Sequence, residues 1–419
     1  MLLEFSCSNH KSIKNTVTFS ALAGKDTSHD ENLIKYGDHN ILKCSAVYGA
    51  NGSGKSNLFD AVAFARSLVI NSIKNQPGQG IVQKPHKLMG LNVPSEYKIQ
   101  FIKNDVRYVY SFSLKNALVF EEYLYYFPNG RQTKIFERDE VDFTAGDKFR
   151  GKFDTCRDVL KPNRLLLSCA ANFSSVDEVA KVFNFFDNDL VIYRNDRNLK
   201  WLDYSLNKIR ENEKIKKMVL LFLKKMDTGI KDIEDITDQA LDINTLSPDL
   251  SDDFKNFLIS SSMMLNAKIK YNKFTTDLRA EESFGIKKII ELICPIIDIL
   301  LNDKTLFCDE LENSLHEAIA YNIVELFNKS GEGFSAQIFF TTHDTNMLDL
   351  KLFRRDQIWF TELDPENRGT DLYSLAEIRN VRKEENVSKG YISGKYGAIP
   401  MLNERFNDIV QTLKEVENE

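Results

Sequence analysis

Paired-cysteine spacings are missing from this 419-residue sequence. Its six cysteines, Cys7, Cys44, Cys156, Cys169, Cys294 and Cys308, form no C-x-x-C pair and no metal-ligand pattern. Several lie in apolar runs, so reduced, buried thiols in a cytoplasmic protein are the expectation. A basic region followed by an apolar stretch is also missing. The start, Met1-Leu2-Leu3-Glu4-Phe5-Ser6, therefore predicts no secretory signal. The longest apolar stretch, 289–301, contains Glu291 and Asp298 and is too short to span a bilayer, so no membrane association is expected. Excess positive charge is lacking: 55 basic against 61 acidic residues leave a net charge of −6. That argues against coating nucleic acid by bulk charge, while a local basic patch stays open. Internal repeats and low-complexity segments are absent. What remains is 42% hydrophobic and 28% charged, an ordinary globular composition with room for two or three domain-sized units.

One segment carries specific chemistry. Gly49-Ala50-Asn51-Gly52-Ser53-Gly54-Lys55-Ser56 is a complete G-x-x-x-x-G-K-[ST] loop. Residues 43–48 read as a short buried strand before it, and 57–66 as a helix after it. In that context the glycines turn successive N–H groups inward around a β-phosphate. The helix N-terminus adds partial positive charge. Lys55 is expected to reach the β- and γ-phosphates of ATP, and Ser56 to ligate Mg²⁺.

The flanking chain reads as an α/β protein. Strand, turn and strand fill 1–25, with Asn9-His10-Lys11-Ser12 at the turn, and a polar loop covers 26–40. An exposed connection covers 75–90, with Gln76-Pro77-Gly78 and Lys84-Pro85. Alternating strands at 97–102, 106–114 and 118–126 predict an antiparallel meander. Asn104-Asp105 and Lys115-Asn116 sit at its turns, and Pro128–Arg131 makes another. Residues 155–275 read as mostly helical, with Leu202, Leu206, Ile209, Val219 and Leu223 near helical spacing, and 234–253 as an acidic loop. After 280, helix 286–301, strand 304–310, helix 314–328, strand 337–343 and strand 357–362 predict a parallel sheet. The expected organisation is 1–140 as one half of a nucleotide-binding head, 141–280 as an inserted lobe and 281–419 as the other half.

Three further features join the loop. Leu306-Phe307-Cys308-Asp309-Glu310 is an apolar strand ending in two acids. Asp309 suits the Mg²⁺ partner of a phosphate loop, and Glu310 suits orienting or deprotonating an attacking water. Asp309 lies 253 positions after Ser56, so a large body is inserted into the nucleotide fold. His343 closes a strand and is placed to sense a γ-phosphate. In Glu282-Ser283-Phe284-Gly285, Ser283 caps a helix and Gly285 allows close backbone approach, which is also an anion site.

Together these resemble the ATP-binding cassette and SMC/RecF group. Asn9-x-Lys11-Ser12, Tyr48 to Asn57, Glu282-Ser283-x-Gly285, Asp309-Glu310-Leu311-Glu312-Asn313-Ser314-Leu315-His316 and Thr341-Thr342-His343 resemble bacterial RloA-like AAA ATPases. Those are similar to the ATPase part of OLD-family nucleases. The closing Gly394-Lys395-Tyr396-Gly397-Ala398-Ile399-Pro400 also resembles that family. The likeness covers 1–140 and 280–402. It implies an ABC/SMC-like head with a mixed sheet, an antiparallel meander and a helical insert. It implies that two copies sandwich ATP, with Ser283 and Gly285 of one meeting the γ-phosphate held by Lys55 of the other, and residues 313–316 at the seam. It implies a place in anti-phage defence. Asn51, Gly52, Ser53, Gly54 and Asn57 complete the nucleotide-binding set, and Glu310, His343 and Lys55 the catalytic one.

The short Glu-Ser-Phe-Gly form disfavours a transporter. Gln100 and Gln132 are candidates for a glutamine linking nucleotide to the lobe. The 76 residues after His343 hold no paired strand-end acids, and Asp364 and Asp371 read as loop residues, so a nuclease is expected in a partner rather than here. Basic residues at 208–225, Arg354-Arg355 and Arg379-Arg382-Lys383 leave DNA as a possible partner. The rival readings are a RecF-like DNA-repair ATPase and a small-molecule kinase. The late Asp309-Glu310 argues against the kinase.

Overall fold

The computed structural model describes residues 1–194, 199–239, 264–331, 333–382 and 384–399. In chain order its strands are β1 (Leu2–Ser8), β2 (Val17–Ser20), β3 (Leu33–Tyr36), β4 (His39–Leu42), β5 (Cys44–Gly49), β6 (Ser95–Lys103), β7 (Val106–Lys115), β8 (Leu118–Phe127), β9 (Thr133–Asp139), β10 (Asp142–Ala145), β11 (Leu190–Tyr193), β12 (Asp232–Gln239), β13 (Met264–Lys270), β14 (Thr275–Asp277), β15 (Thr305–Cys308), β16 (Gln337–Thr341), β17 (Ile358–Leu363) and β18 (Thr370–Ser374). The helices are α1 (Lys55–Asn71), α2 (Leu166–Phe173), α3 (Asp177–Asn184), α4 (Leu199–Glu211), α5 (Glu213–Lys225), α6 (Phe284–Leu301), α7 (Glu317–Asn328) and α8 (Val387–Ile392).

The central sheet has the order β11-β15-β16-β5-β17-β18. Its first five strands are parallel, and β18 turns back against β17. These strands read as near-continuous apolar runs because both faces are covered. On one face Phe307, Phe339 and Trp359 meet Phe19 of β2 and Phe59 of α1, with ring centroids 5.0–6.2 Å apart. On the other, Leu306, Ile338, Phe340 and Phe360 share a core with Ile323, Val324 and Phe327 of α7. A second, antiparallel sheet, β10-β9-β8-β7-β6-β1-β2, wraps the first face. A mixed sheet plus an antiparallel meander is therefore present.

The meander turns at Asn104-Asp105 and at Asn116-Ala117, all four residues at φ between 51° and 62°. That is the type I′ geometry whose twist suits two-residue hairpins. The second turn lies one residue beyond Lys115-Asn116. Residues 26–40 are not a plain loop: Ile34 and Ile41 pair across the hairpin β3–β4 and are buried. The connection at 75–90 is partly covered, since Ile81 and His86 are buried.

The expectation of a mostly helical stretch at 155–275 needs correction. Helices α2 to α5 are present, but β11 joins the central sheet and β12-β13-β14 form a separate antiparallel sheet. Part of the supposed acidic loop is β12. Its buried Ile233 packs inward, while Asp232 and Glu234 pair with Lys216 and Lys270 on the outer side. Residues 240–253 of that stretch lie outside the described residues. Leu206, Val219, Ile233, Ile269 and Ile290 make the lobe's core against α6. All six cysteines are buried and unpaired. Among the described residues, no helix is long and apolar enough to cross a membrane.

Candidate phosphate-loop site

Strand β5 delivers the loop at the C-terminal edge of the central sheet, where open α/β sheets bind ligands. Gly49 is pressed between the side chains of Thr361 and Ser53, and no β-carbon fits there. Gly54, at φ 108°, meets the Thr370 side chain in the same way. Gly52, at φ 80°, has open space on its Cα instead. The Lys55 ammonium folds back onto the loop and donates to the carbonyls of Gly49 (2.7 Å) and Ala50 (3.2 Å). Burial lowers its pKa to about 8, against the pull of Asp309, Glu310 and Glu312.

A brace holds the loop from outside. Ser53 Oγ lies 2.6 Å from Thr361 Oγ1. Thr370 Oγ1 donates to the Ser53 carbonyl at 2.9 Å and also meets Ser12 Oγ at 2.7 Å. Asn57 Nδ2 donates to Ser12 Oγ at 2.7 Å. Sequence reading missed Thr361 and Thr370. They belong to no motif, and only the placing of β17 beside β5, with β18 next to β17, brings them to the loop.

Strands β15 and β16 end beside it. Ser56 Oγ donates to Asp309 Oδ1 at 3.1 Å, and Thr341 Oγ1 donates to the same oxygen at 2.7 Å. Glu310 is left-handed at φ 53°, and its N–H donates to Thr341 Oγ1 at 2.7 Å. Asn313 Nδ2 donates to Glu310 Oε2 at 3.3 Å. Glu312 Oε1 accepts the backbone N–H of His343 at 2.6 Å, tying the acidic loop to the end of β16. Desolvation and the nearby Lys55 ammonium hold the His343 imidazole below its ordinary pKa.

The N-terminal motif is a clamp. Asn9 Nδ2 donates to the carbonyls of Gly90 (3.1 Å) and Val93 (2.8 Å), and its Oδ1 accepts the His86 N–H at 2.8 Å. His10 and Lys11 bind Asp60 of α1 at 3.1 and 2.7 Å. Burial pushes the Asp60 carboxyl up, but these partners and Arg194 hold it well below the usual carboxylate range. Beside the loop lies a cavity of about 880 Å³ lined by Lys11, Ser12, Gly52, Asn57 and Gln83. Its size suits the nucleoside end of a nucleotide.

The site's donors fit a triphosphate with Mg²⁺. Among the described residues, the N–H groups of Gly52, Gly54, Lys55 and Ser56 meet no protein acceptor. Ser56 Oγ and Asp309 Oδ1 converge on one point, which suits a cation that takes its other ligands from phosphate and water. Among the described residues, no group of three His, Cys, Asp or Glu side chains could hold a metal without such help.

Other predicted residues have contacts or exposure of their own. Ser283 is exposed, and its Oγ accepts the Ile286 N–H at 3.3 Å, capping α6. A β-carbon at Gly285 would lie 3.4 Å from the Ser314 carbonyl oxygen. Asn51 is exposed at the loop's tip. Gln100 donates to Glu4 within the antiparallel sheet, and Gln132 is exposed beside it, so neither reaches the loop. Asp364 caps a loop by accepting the N–H groups of Glu366 and Asn367. Asp371 is not a loop residue: it lies on β18. Arg354 is not available to nucleic acid. It is fully buried, holding Asp356 and the carbonyls of Asp26 and Ser28. Lys216 and Arg210 are paired with Asp232 and Asp238. Pro400 and Lys383 lie outside the described residues.

A glycine-braced loop with its lysine, and a strand-end aspartate on its serine, define the nucleotide site of a phosphate-loop protein. The profile of the family described as "AAA domain, putative AbiEii toxin, Type IV TA system" matches residues 44–349, and the chain belongs to that family. No curated protein matches. Among solved structures, the chain is similar to an SMC head bound to the C-terminal winged-helix domain of ScpA. Identity is 15%, TM-score 0.44, and coverage 89% of this chain and 97% of that one. The SMC head from Thermotoga maritima has 13% identity, TM-score 0.40 and coverage of 89% and 98%. The Pyrococcus furiosus SMC head with an extended coiled coil, bound to the C-terminal domain of ScpA, has 13% identity, TM-score 0.41 and coverage of 89% and 96%.

Proposed function

We propose that this chain dimerises around ATP and acts as the regulatory or sensor subunit of an anti-phage defence system, controlling a separate effector such as a nuclease. The observation that carries the dimer is the exposure of Ser283 and Phe284 at the start of α6. Lys55, Ser56 and Asp309 gather at one place, while Ser283 is exposed and capped on its own helix. A second copy, with its own 281–285 segment facing this loop, completes the site.

In this reading the free N–H groups of the loop and the Lys55 ammonium bind the phosphates. Ser56 and Asp309 hold Mg²⁺, which supplies charge neutralisation at the phosphate oxygens when bound. Glu310, held by Asn313 and Thr341, orients the attacking water and takes its proton. His343, kept neutral, can donate one N–H toward the γ-phosphate. The Glu312 link makes its backbone position depend on the acidic loop. Residues 313–316 lie at the seam, and the insert at 141–280 between the halves 1–140 and 281–419 also lends β11 to the central sheet. A family description that speaks of a toxin–antitoxin system fits a switch that restrains a harmful partner.

Glu310→Gln tests the reading. Hydrolysis is expected to fall by about 10²-fold or more, and an ATP-bound dimer to accumulate in light scattering. Unchanged turnover removes the assignment. Affinity purification with and without ATP, read by mass spectrometry, tests the effector. ATP-dependent DNA binding with no protein companion would favour the RecF-like reading.

A further inference from the structure

The cavity beside the phosphate loop has walls that the phosphate chemistry does not use. The connection at 82–91 and the turn between β17 and β18 both line it, together with Gly52 and Asn57. Leu88 and Leu91, 67% and 44% exposed, and Leu363 give it apolar surface. Leucines left open beside a polar loop suit the faces of a flat ring. Gln83 differs from every other lining residue. Both ends of its amide, Oε1 and Nε2, are buried. Among the described residues, it alone lines the cavity with buried side-chain atoms that meet no hydrogen-bond partner. Neighbours on both sides fix its backbone. The Ile81 N–H donates to the Ala117 carbonyl at 2.8 Å, and the Lys84 carbonyl accepts the Lys11 N–H at 2.7 Å. Lys11 adjoins Ser12, whose hydroxyl meets Asn57 and Thr370, so Gln83 is tied to the brace of the phosphate loop.

A buried carboxamide without partners is costly, because it has given up water at both ends and gained nothing in return. Gln83 is half-buried as a residue, and a change of rotamer turns its amide toward the cavity it already lines. The edge of adenine sets the N6 amine beside a ring acceptor. A carboxamide meets both at once, accepting with its oxygen and donating with its nitrogen. We propose that Gln83 is a specificity-determining residue that reads the adenine edge, with the exposed leucines against the ring. Apolar contacts alone do not tell one base from another. The charged lining residues Lys84, Lys87, Glu366 and Arg368 are exposed, so water competes for them. The choice of base therefore falls to the amide. This rests on reading the loop as an ATP site.

Displacement of a ribose-labelled fluorescent ATP analogue from the full chain, with Mg²⁺ present, tests it. Three competitors are compared: ATP, purine riboside triphosphate, which lacks only the N6 amine, and inorganic tripolyphosphate. The wild type is expected to prefer ATP over the purine analogue by about tenfold, the value of one hydrogen bond whose loss leaves the amide oxygen unmet. Gln83→Met keeps the side chain's length and removes the amide. It is expected to bind the two nucleotides equally and to bind tripolyphosphate like the wild type. The proposal is overturned if the wild type binds both nucleotides alike, or if Gln83→Met keeps the preference for ATP. It is also overturned if Gln83→Met loses tripolyphosphate along with ATP, which would mark a structural role. A wild type that binds none of the three removes the ATP reading itself, and this proposal with it.

Discussion

Lys55 shows how one buried charge couples to solution conditions. Its pKa of about 8 lies below the ordinary lysine value because the loop shields it from water. A triphosphate binds the charged form. Above pH 8 the unliganded lysine is increasingly neutral, and binding must bring a proton with it. ATP affinity is therefore expected to fall about tenfold per pH unit above about 8, and titrations from pH 7 to 9.5 read this directly. A flat profile would mean that Lys55 does not meet the phosphates. The same depressed pKa makes the unfolded chain bind more protons than the folded one between about 8 and 10.5. This group's contribution to stability without nucleotide therefore rises with pH across that window. Replacing the ammonium, as in Lys55→Ala, should weaken ATP binding by about 10- to 100-fold, the range of a charged hydrogen bond.

Elements are joined to one another by a few buried polar contacts. Glu122 on β8 is fully buried, where it caps α2 by accepting the N–H groups of Leu166 (2.6 Å) and Leu167 (2.8 Å). Tyr110 donates to it at 2.9 Å and Arg138 at 3.3 Å. Burial raises the Glu122 pKa, and Arg138 and the helix N–H groups oppose that rise. Glu122→Ala leaves Arg138 buried without its carboxylate and should cost about 3–5 kcal/mol in urea unfolding. A loss under about 1 kcal/mol would mean that water replaces the cap. The hairpin at Asn116-Ala117 offers the opposite test. Ala117 sits at φ 62°, a conformation that costs a β-carbon about 1–2 kcal/mol. Ala117→Gly removes that strain but adds unfolded-state entropy, so a net gain of about 0.5–1 kcal/mol is expected in the same assay.

At the scale of the whole molecule, the proposed dimer divides the site between two surfaces. Phe284, next to Ser283, is 83% exposed, and a large aromatic so open suits a face that another surface covers. Ser283→Arg is expected to abolish ATP hydrolysis while the monomer still binds the nucleotide. Equilibrium binding and light scattering on one sample separate those outcomes. Loss of binding to the monomer would give Ser283 a role within its own chain.

The phosphate loop, the acidic strand end and the antiparallel meander were legible because each is local. A loop that cradles phosphate needs its glycines and lysine at fixed spacing, and an alternating strand declares its two faces within a few residues. The lobe was less legible. The outer side of β12 carries acids that read as a loop, and its pairing with β13 depends on residues far along the chain. Thr361, Thr370 and Tyr391 had no local signal at all. The two threonines reach the loop only because β17 lies beside β5 and β18 beside β17, and Tyr391 meets Tyr48 only because the C-terminal segment folds back over Phe360. The sequence by itself determined which groups can bind phosphate. Tertiary structure decided which neighbours hold them rigid, since that depends on strand order rather than on spacing along the chain.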